Sequence, residues 1–100
     1  MSLDALDEKI AQWGYDKGIL PDAEPRSQLE KTEEEVRELR QAIEEHDIDE
    51  VKDALGDIYV TLVMQADAWN LTMEECIQSA YDVIKNRTGK MVGGKFVKDN

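Results

Sequence analysis

The chain of 100 residues is poor in the groups that most enzyme sites use, with one cysteine, one histidine, one phenylalanine and two prolines. Cys76 has no partner for an internal disulfide, which fits a protein of the reducing cytoplasm. Beside Ile77 and Ala80 on a helix, its role is packing. The lone His46 sits in an acidic turn, so Ser–His and Cys–His nucleophile systems are excluded. No Glu stands three residues before it, so the Glu-x-x-His pairs of a di-iron bundle are missing as well. Asp47-Ile48-Asp49 lacks the glycine and further oxygens of a calcium loop, and no Gly-rich loop precedes a Lys-Ser/Thr pair. No apolar run reaches the length of a membrane span, and Met1-Ser2-Leu3-Asp4 lacks the basic start and apolar core of a signal peptide. Positive charge is also scarce. With 12 basic residues against 23 acidic and a net charge of −11, nucleic acid and anionic membranes are excluded as partners. A small anionic substrate can bind only with help from metal ions and a local basic cluster.

What the chain does have is a stretch from Lys31 to Thr61 that predicts two consecutive helices joined by a tight turn at His46-Asp47. On the first, Leu29, Thr32, Val36, Leu39 and Ile43 recur at three- and four-residue steps and predict a core-facing stripe. A second stripe, Gln28, Lys31, Glu35 and Glu38, lies beside it with Glu34 adjacent. On the second helix Val51, Leu55, Ile58 and Leu62 repeat the apolar stripe, flanked by Glu50, Asp53 and Asp57. Acidic residues on helices are ordinarily a solvated face. Here the carboxylates border the apolar stripe instead of lying opposite it, and Asp57 stands at the mouth of an apolar run, Ile58 to Met64. Carboxylates facing each other across a helical hairpin repel unless a cation neutralises them. Oxygen-only donors suit Mg²⁺ or Mn²⁺, not zinc.

In chain order, the expected architecture is all-alpha, with main helices near residues 3–14, 27–46, 48–69 and 73–87 in a single domain spanning 1–100. Ser2 caps the first helix, Leu3, Leu6, Ile10 and Trp13 form its packed face, and Gly14 is its stop. Tyr15 to Pro25 is a loop pinned by Ile19-Leu20. Capping boxes at Ser27/Glu30, Asp47/Glu50 and Thr72/Glu75 start the next three helices. Met73, Ile77, Ala80, Tyr81 and Ile84 mark the fourth, with Gly89 just beyond its end. Met91 to Val97 predicts a short hairpin or extended arm. The apolar width of the third helix from Ile58 to Trp69 predicts a homodimer or homotetramer assembled through it. Five of the 12 basic residues fall at Lys85, Arg87, Lys90, Lys95 and Lys98. Lys85 and Arg87 either complement the helix C-terminus or clamp phosphate.

Glu34-Glu35-Val-Arg-Glu38 followed by Asp53-Ala-Leu-Gly-Asp57 resembles the EExxE…ExxD pattern of the MazG-type, all-alpha nucleoside triphosphate pyrophosphohydrolases. Small phage-type members are especially similar: Trp13 and Gly18-Ile19-Leu20 precede Gln28-x-x-Lys31, and Ala80-Tyr81-x-x-Ile84-Lys85-x-Arg87-x-Gly89-Lys90-Met91 and Phe96-Val97-Lys98 follow the acidic motif. One departure stands out. Where the family has a glutamate three before the aspartate this chain has Ala54, with Asp53 one helical step away.

The resemblance implies Mg²⁺-dependent hydrolysis of a nucleoside triphosphate to the monophosphate and pyrophosphate. It implies Glu35, Glu38 and Asp57 as metal ligands, Glu34 as ligand or base, and Asp53 as a supplement. Lys31, Lys85, Arg87 and Lys90 would meet the phosphates, and Trp13 or Asn86 the base or sugar. The competing expectation is a non-catalytic helical oligomer that binds nucleotide or a partner protein, its site eroded at Ala54.

Overall fold

In the computed structural model, which describes residues 1–99, the hydroxyl of Ser2 accepts a hydrogen bond from the Ala5 N–H at 3.2 Å and opens α1 (Leu3–Asp16). Gly14 does not end this helix. It is buried inside it, where an added Cβ would stand 2.7 Å from the Met64 sulfur, so its role is close packing. The left-handed residue that turns the chain is Gly18, at φ 77°. Helix α2 (Pro25–Glu44) begins two residues before the expected Ser27/Glu30 box. The ring of Pro25 has no N–H to satisfy and a φ suited to the first helical position, so the helix needs no side-chain cap from Glu24.

His46, at φ 54°, makes the turn into α3 (Ile48–Ala68), and Asp47 Oδ1 accepts from the Glu50 N–H at 3.1 Å. Asp47 thus caps the helix in the expected way, with Glu50 contributing its backbone. Asn70, at φ 58°, makes the next turn. There the full capping box forms: Glu75 N–H donates to Thr72 Oγ1 at 3.1 Å, and Thr72 N–H donates to Glu75 Oε1 at 3.2 Å. Helix α4 (Met73–Ile84) is shorter than expected. After it come β1 (Gly89–Val92) and β2 (Lys95–Lys98), an antiparallel hairpin turned by Gly93 and Gly94, both at positive φ. Gly89 belongs to this hairpin and not to a helix end. A Cβ there would strike the Val97 carbonyl and the Phe96 ring.

Helices α2 and α3 form the central pair, with α1 packed along α3. Their mutual surface is built from small and polar residues: Ala42 and Ala54 are buried, as are Thr61 and Glu35, while Thr32 is half-buried. Leu20, Val63, Met64 and Ala66 complete the core beneath α1. The expected apolar stripes stand elsewhere. Leu29, Val36 and Ile43 on α2 and Leu55 on α3 are exposed, one step around each helix from the line of contact. Leu3, Leu6 and Trp13 on α1 are also exposed, as are Ile77, Tyr81 and Ile84 on α4. The second half of α3, expected as the oligomer surface, is half-buried or buried within the chain from residue 58 to residue 68. None of the helices is long and apolar enough to cross a membrane among the described residues.

Candidate metal centre

The helical repeat brings Lys31, Glu34, Glu35 and Glu38 to one side of α2. Opposite them, Thr32 and Thr61 share a 2.8 Å hydrogen bond that fixes the antiparallel register of α2 and α3. Four residues back along α3, that register sets Asp57 against the turn that holds Glu35 and Glu38. The carboxylates of Glu35, Glu38 and Asp57 each offer an oxygen, and all three oxygens lie within 4.8 Å of one another.

Glu35 is the unusual member. It is 7% exposed, and its Oε2 is fully buried with no hydrogen-bond partner. Its other oxygen lies 3.6 Å from Lys31 Nζ, which also meets Glu34 at 3.3 Å. Burial pushes the Glu35 carboxyl above the ordinary range, the neighbouring Glu38 pushes it further, and Lys31 pulls the other way. The Lys31 ammonium is in turn raised, chiefly by its hydrogen bond to Glu34. An orphaned buried oxygen on a carboxylate that belongs to an acidic cluster costs stability unless a cation completes it. The donor set is all oxygen, so the residues fit a hard divalent ion such as Mg²⁺ or Mn²⁺.

Asp57 also lines a groove of about 300 Å³ between α1 and α3, with Leu6, Lys9, Ile10, Trp13 and Val60. Trp13, 45% exposed, therefore shares a groove with Asp57. Lys9, which the reading of the sequence passed over, lies on the same groove. Its spacing was the available signal, since three residues after Leu6 and four before Trp13 places it on their face. Asp53 is exposed and lies outside the three-carboxylate group. Ala54 is buried between the helices, so the side chain that replaces the expected glutamate serves packing. Lys85 pairs with Asp82 at 3.5 Å. Asn86, Arg87 and Lys90 are exposed on the segment after α4, and none of them lines the groove.

The family model of the MazG nucleotide pyrophosphohydrolase domain matches residues 23–92. The chain belongs to the MazG family. The matched span runs from just before α2 into β1, so it includes all three clustered carboxylates and leaves out α1, with Lys9 and Trp13. An uncharacterized 18.2 kDa protein in the rep-hol intergenic region of Haemophilus phage HP1 is 34% identical over 64 residues. That match covers 64% of this MazG chain and 39% of the phage protein, so the chain spans well under half of this relative. No solved structure matches the chain significantly.

Proposed function

We propose that this MazG-family protein is a Mg²⁺-dependent nucleoside triphosphate pyrophosphohydrolase of the cytoplasm that cleaves NTP or dNTP to the monophosphate and pyrophosphate. The observation that carries the reading is that Glu35, whose buried Oε2 has no partner, is the carboxylate that groups with those of Glu38 and Asp57. Glu35, Glu38 and Asp57 would hold the metal, without the supplement expected from Asp53. Bound Mg²⁺ or Mn²⁺ would offset the charge of the triphosphate and acidify a coordinated water. Glu34, half-exposed beside the cluster, accepts a proton from the attacking water. That water adds to the α-phosphorus, the bond from the α-phosphorus to the bridging oxygen breaks, and pyrophosphate leaves. Lys31 is held at the cluster by Glu34 and Glu35, where it balances negative charge. Trp13 offers a flat apolar face to a base, with Lys9 at the rim of the same groove.

A second reading, nucleotide binding without turnover, is favoured by Ala54, which leaves three carboxylates in the group where the family pattern supplies a fourth. Pyrophosphate release is measured across canonical and modified NTPs and dNTPs, with and without Mg²⁺. Metal-dependent release supports hydrolysis. A nucleotide-induced rise in melting temperature without release supports the binding module, and neither effect overturns both.

A further inference from the structure

Lys31 stands three residues before Glu34, four before Glu35 and seven before Glu38, on the acidic side of α2. Its ammonium lies 3.3 Å from Glu34 Oε2 and 3.6 Å from Glu35 Oε1. Among the described residues no other basic side chain pairs with a member of the cluster. The two contacts differ in kind. Lys31 and Glu34 are both half-exposed, and Glu34 lies outside the group of three converging carboxylates. Glu35 belongs to that group, and its side chain is 9% exposed. One lysine is thus shared between a solvated carboxylate and a buried one whose second oxygen has no partner.

As a support for the helix the arrangement is poor. The lysine precedes both glutamates, which is the less favourable order along a helix, and a half-exposed ion pair contributes little. For the cluster it matters more. Three carboxylates whose oxygens converge within 4.8 Å repel one another, and an ammonium 3.6 Å from Glu35 offsets part of that repulsion. The same positive charge opposes the entry of another cation. A divalent ion that uses Glu35 competes with Lys31 for it, whereas Glu34 offers the ammonium a place outside the group.

We infer that Lys31 is a built-in counter-cation, which neutralises Glu35 in the metal-free protein and cedes it to a divalent ion while staying on Glu34. The inference rests on the proposed role of the cluster in holding metal. It makes Lys31 a positioning residue that acts through Glu35 and lowers the affinity of the cluster for metal. A metal ligand or a purely structural residue would have the opposite effect, because its loss weakens metal binding.

The test counts Mn²⁺ bound without nucleotide, from the electron paramagnetic resonance signal of the free ion, and records the melting temperature of metal-free protein. Lys31→Met keeps most of the apolar stem and removes the charge. It is expected to lower the metal-free melting temperature slightly and to tighten Mn²⁺ binding about three- to tenfold, a modest change because the ammonium is half-exposed and screened. Lys31→Arg, which keeps the charge, is expected to retain wild-type values of both. Unchanged or weaker Mn²⁺ binding in Lys31→Met overturns the inference, as does equal tightening in Lys31→Arg. Mn²⁺ binding that survives Asp57→Asn lies away from the cluster and overturns it too.

Glu34→Gln supplies a second check. With that outer carboxylate gone, Lys31 stays on Glu35, so the variant is expected to weaken Mn²⁺ binding more in wild-type protein than in the Lys31→Met background. Equal losses in the two backgrounds would show that Glu34 acts on the metal independently of Lys31, and the handover falls. Wild-type protein that gives the expected Mn²⁺ pattern and releases no pyrophosphate loses the hydrolase reading and keeps its counter-cation.

Discussion

Thr32 donates a 2.8 Å hydrogen bond to Thr61, whose own hydroxyl donates to the Ile58 carbonyl at 2.7 Å. This short polar chain lies at the centre of the contact between α2 and α3, and the register it fixes brings Asp57 to Glu35 and Glu38. A hydroxyl pair in that position favours one alignment of the two helices, because a slip loses the hydrogen bond that joins them.

Thr61→Val keeps the shape of the side chain and removes the acceptor of Thr32, whose hydroxyl still reaches the Gln28 carbonyl at 3.1 Å, so it is expected to cost about 1 kcal/mol in a denaturant titration. The double variant Thr32→Val/Thr61→Val is expected to lose less than the sum of the two single variants, because the two share one hydrogen bond. Strictly additive losses would show that the pair contributes nothing to the alignment.

Removing charge from the cluster should separate stability from function. Glu35→Gln is expected to raise the melting temperature of metal-free protein, since it removes a carboxylate that burial and Glu38 both disfavour. The same variant should lose the thermal shift that Mg²⁺ gives wild-type protein. Asp57→Asn and Glu38→Gln are expected to abolish metal-dependent turnover with an unchanged far-ultraviolet dichroism spectrum. Full activity in both would reduce the acidic stripe to a solvated face.

Two helical glycines should respond in opposite directions to the same substitution. A Cβ at Gly56 meets no atom within 4 Å, and the position is an exposed helix interior. Gly56→Ala should therefore stabilise the fold by about 0.5–1 kcal/mol, a rise of several degrees in melting temperature. At Gly14 the added carbon would stand 2.8 Å from the buried Met64 Cε and 3.1 Å from Leu20 Cδ1. Overpacking there costs about 1–3 kcal/mol, more than the gain in helix propensity, so Gly14→Ala should melt lower than wild type.

Tyr59 Oη donates to Asp7 Oδ1 at 2.8 Å and ties α3 to α1. Burial comes first among the causes that push its phenol up to about 12, followed by this hydrogen bond and the charges of Asp7 and Asp4. A raised pKa means that folding favours the neutral phenol. The associated stability is complete below the ordinary value of about 10 and is lost as the pH climbs through 12. In a phenolate absorbance titration, Tyr59 should give a late step near pH 12, and Tyr59→Phe should remove that late step. The side chain is part-exposed, so the variant should lose only about 1 kcal/mol of stability. A titration that still shows the late step in Tyr59→Phe would reassign it.

Much of this protein was legible from local chemistry. The helices, the turns at His46 and Asn70, the Thr72/Glu75 box and the hairpin follow from periodicity and capping residues, which act within a few positions of one another. That Glu35 and Glu38 share one face of α2 was legible for the same reason, since helical spacing sets which side chains of one helix point together, whereas Asp57 joins them only through the register of α2 against α3. What periodicity does not fix is which side of a helix meets its neighbour. Leu29, Val36, Ile43 and Leu55 make the most apolar stripes, yet the tight contact runs through Ala42, Ala54, Thr32 and Thr61, because small residues let two backbones approach closely. Only that packing decided that Glu35 would be buried with an unpartnered oxygen. Likewise, only the placement of α1 along α3 set Trp13 and Lys9 beside Asp57, a meeting of residues more than forty positions apart that local sequence does not encode.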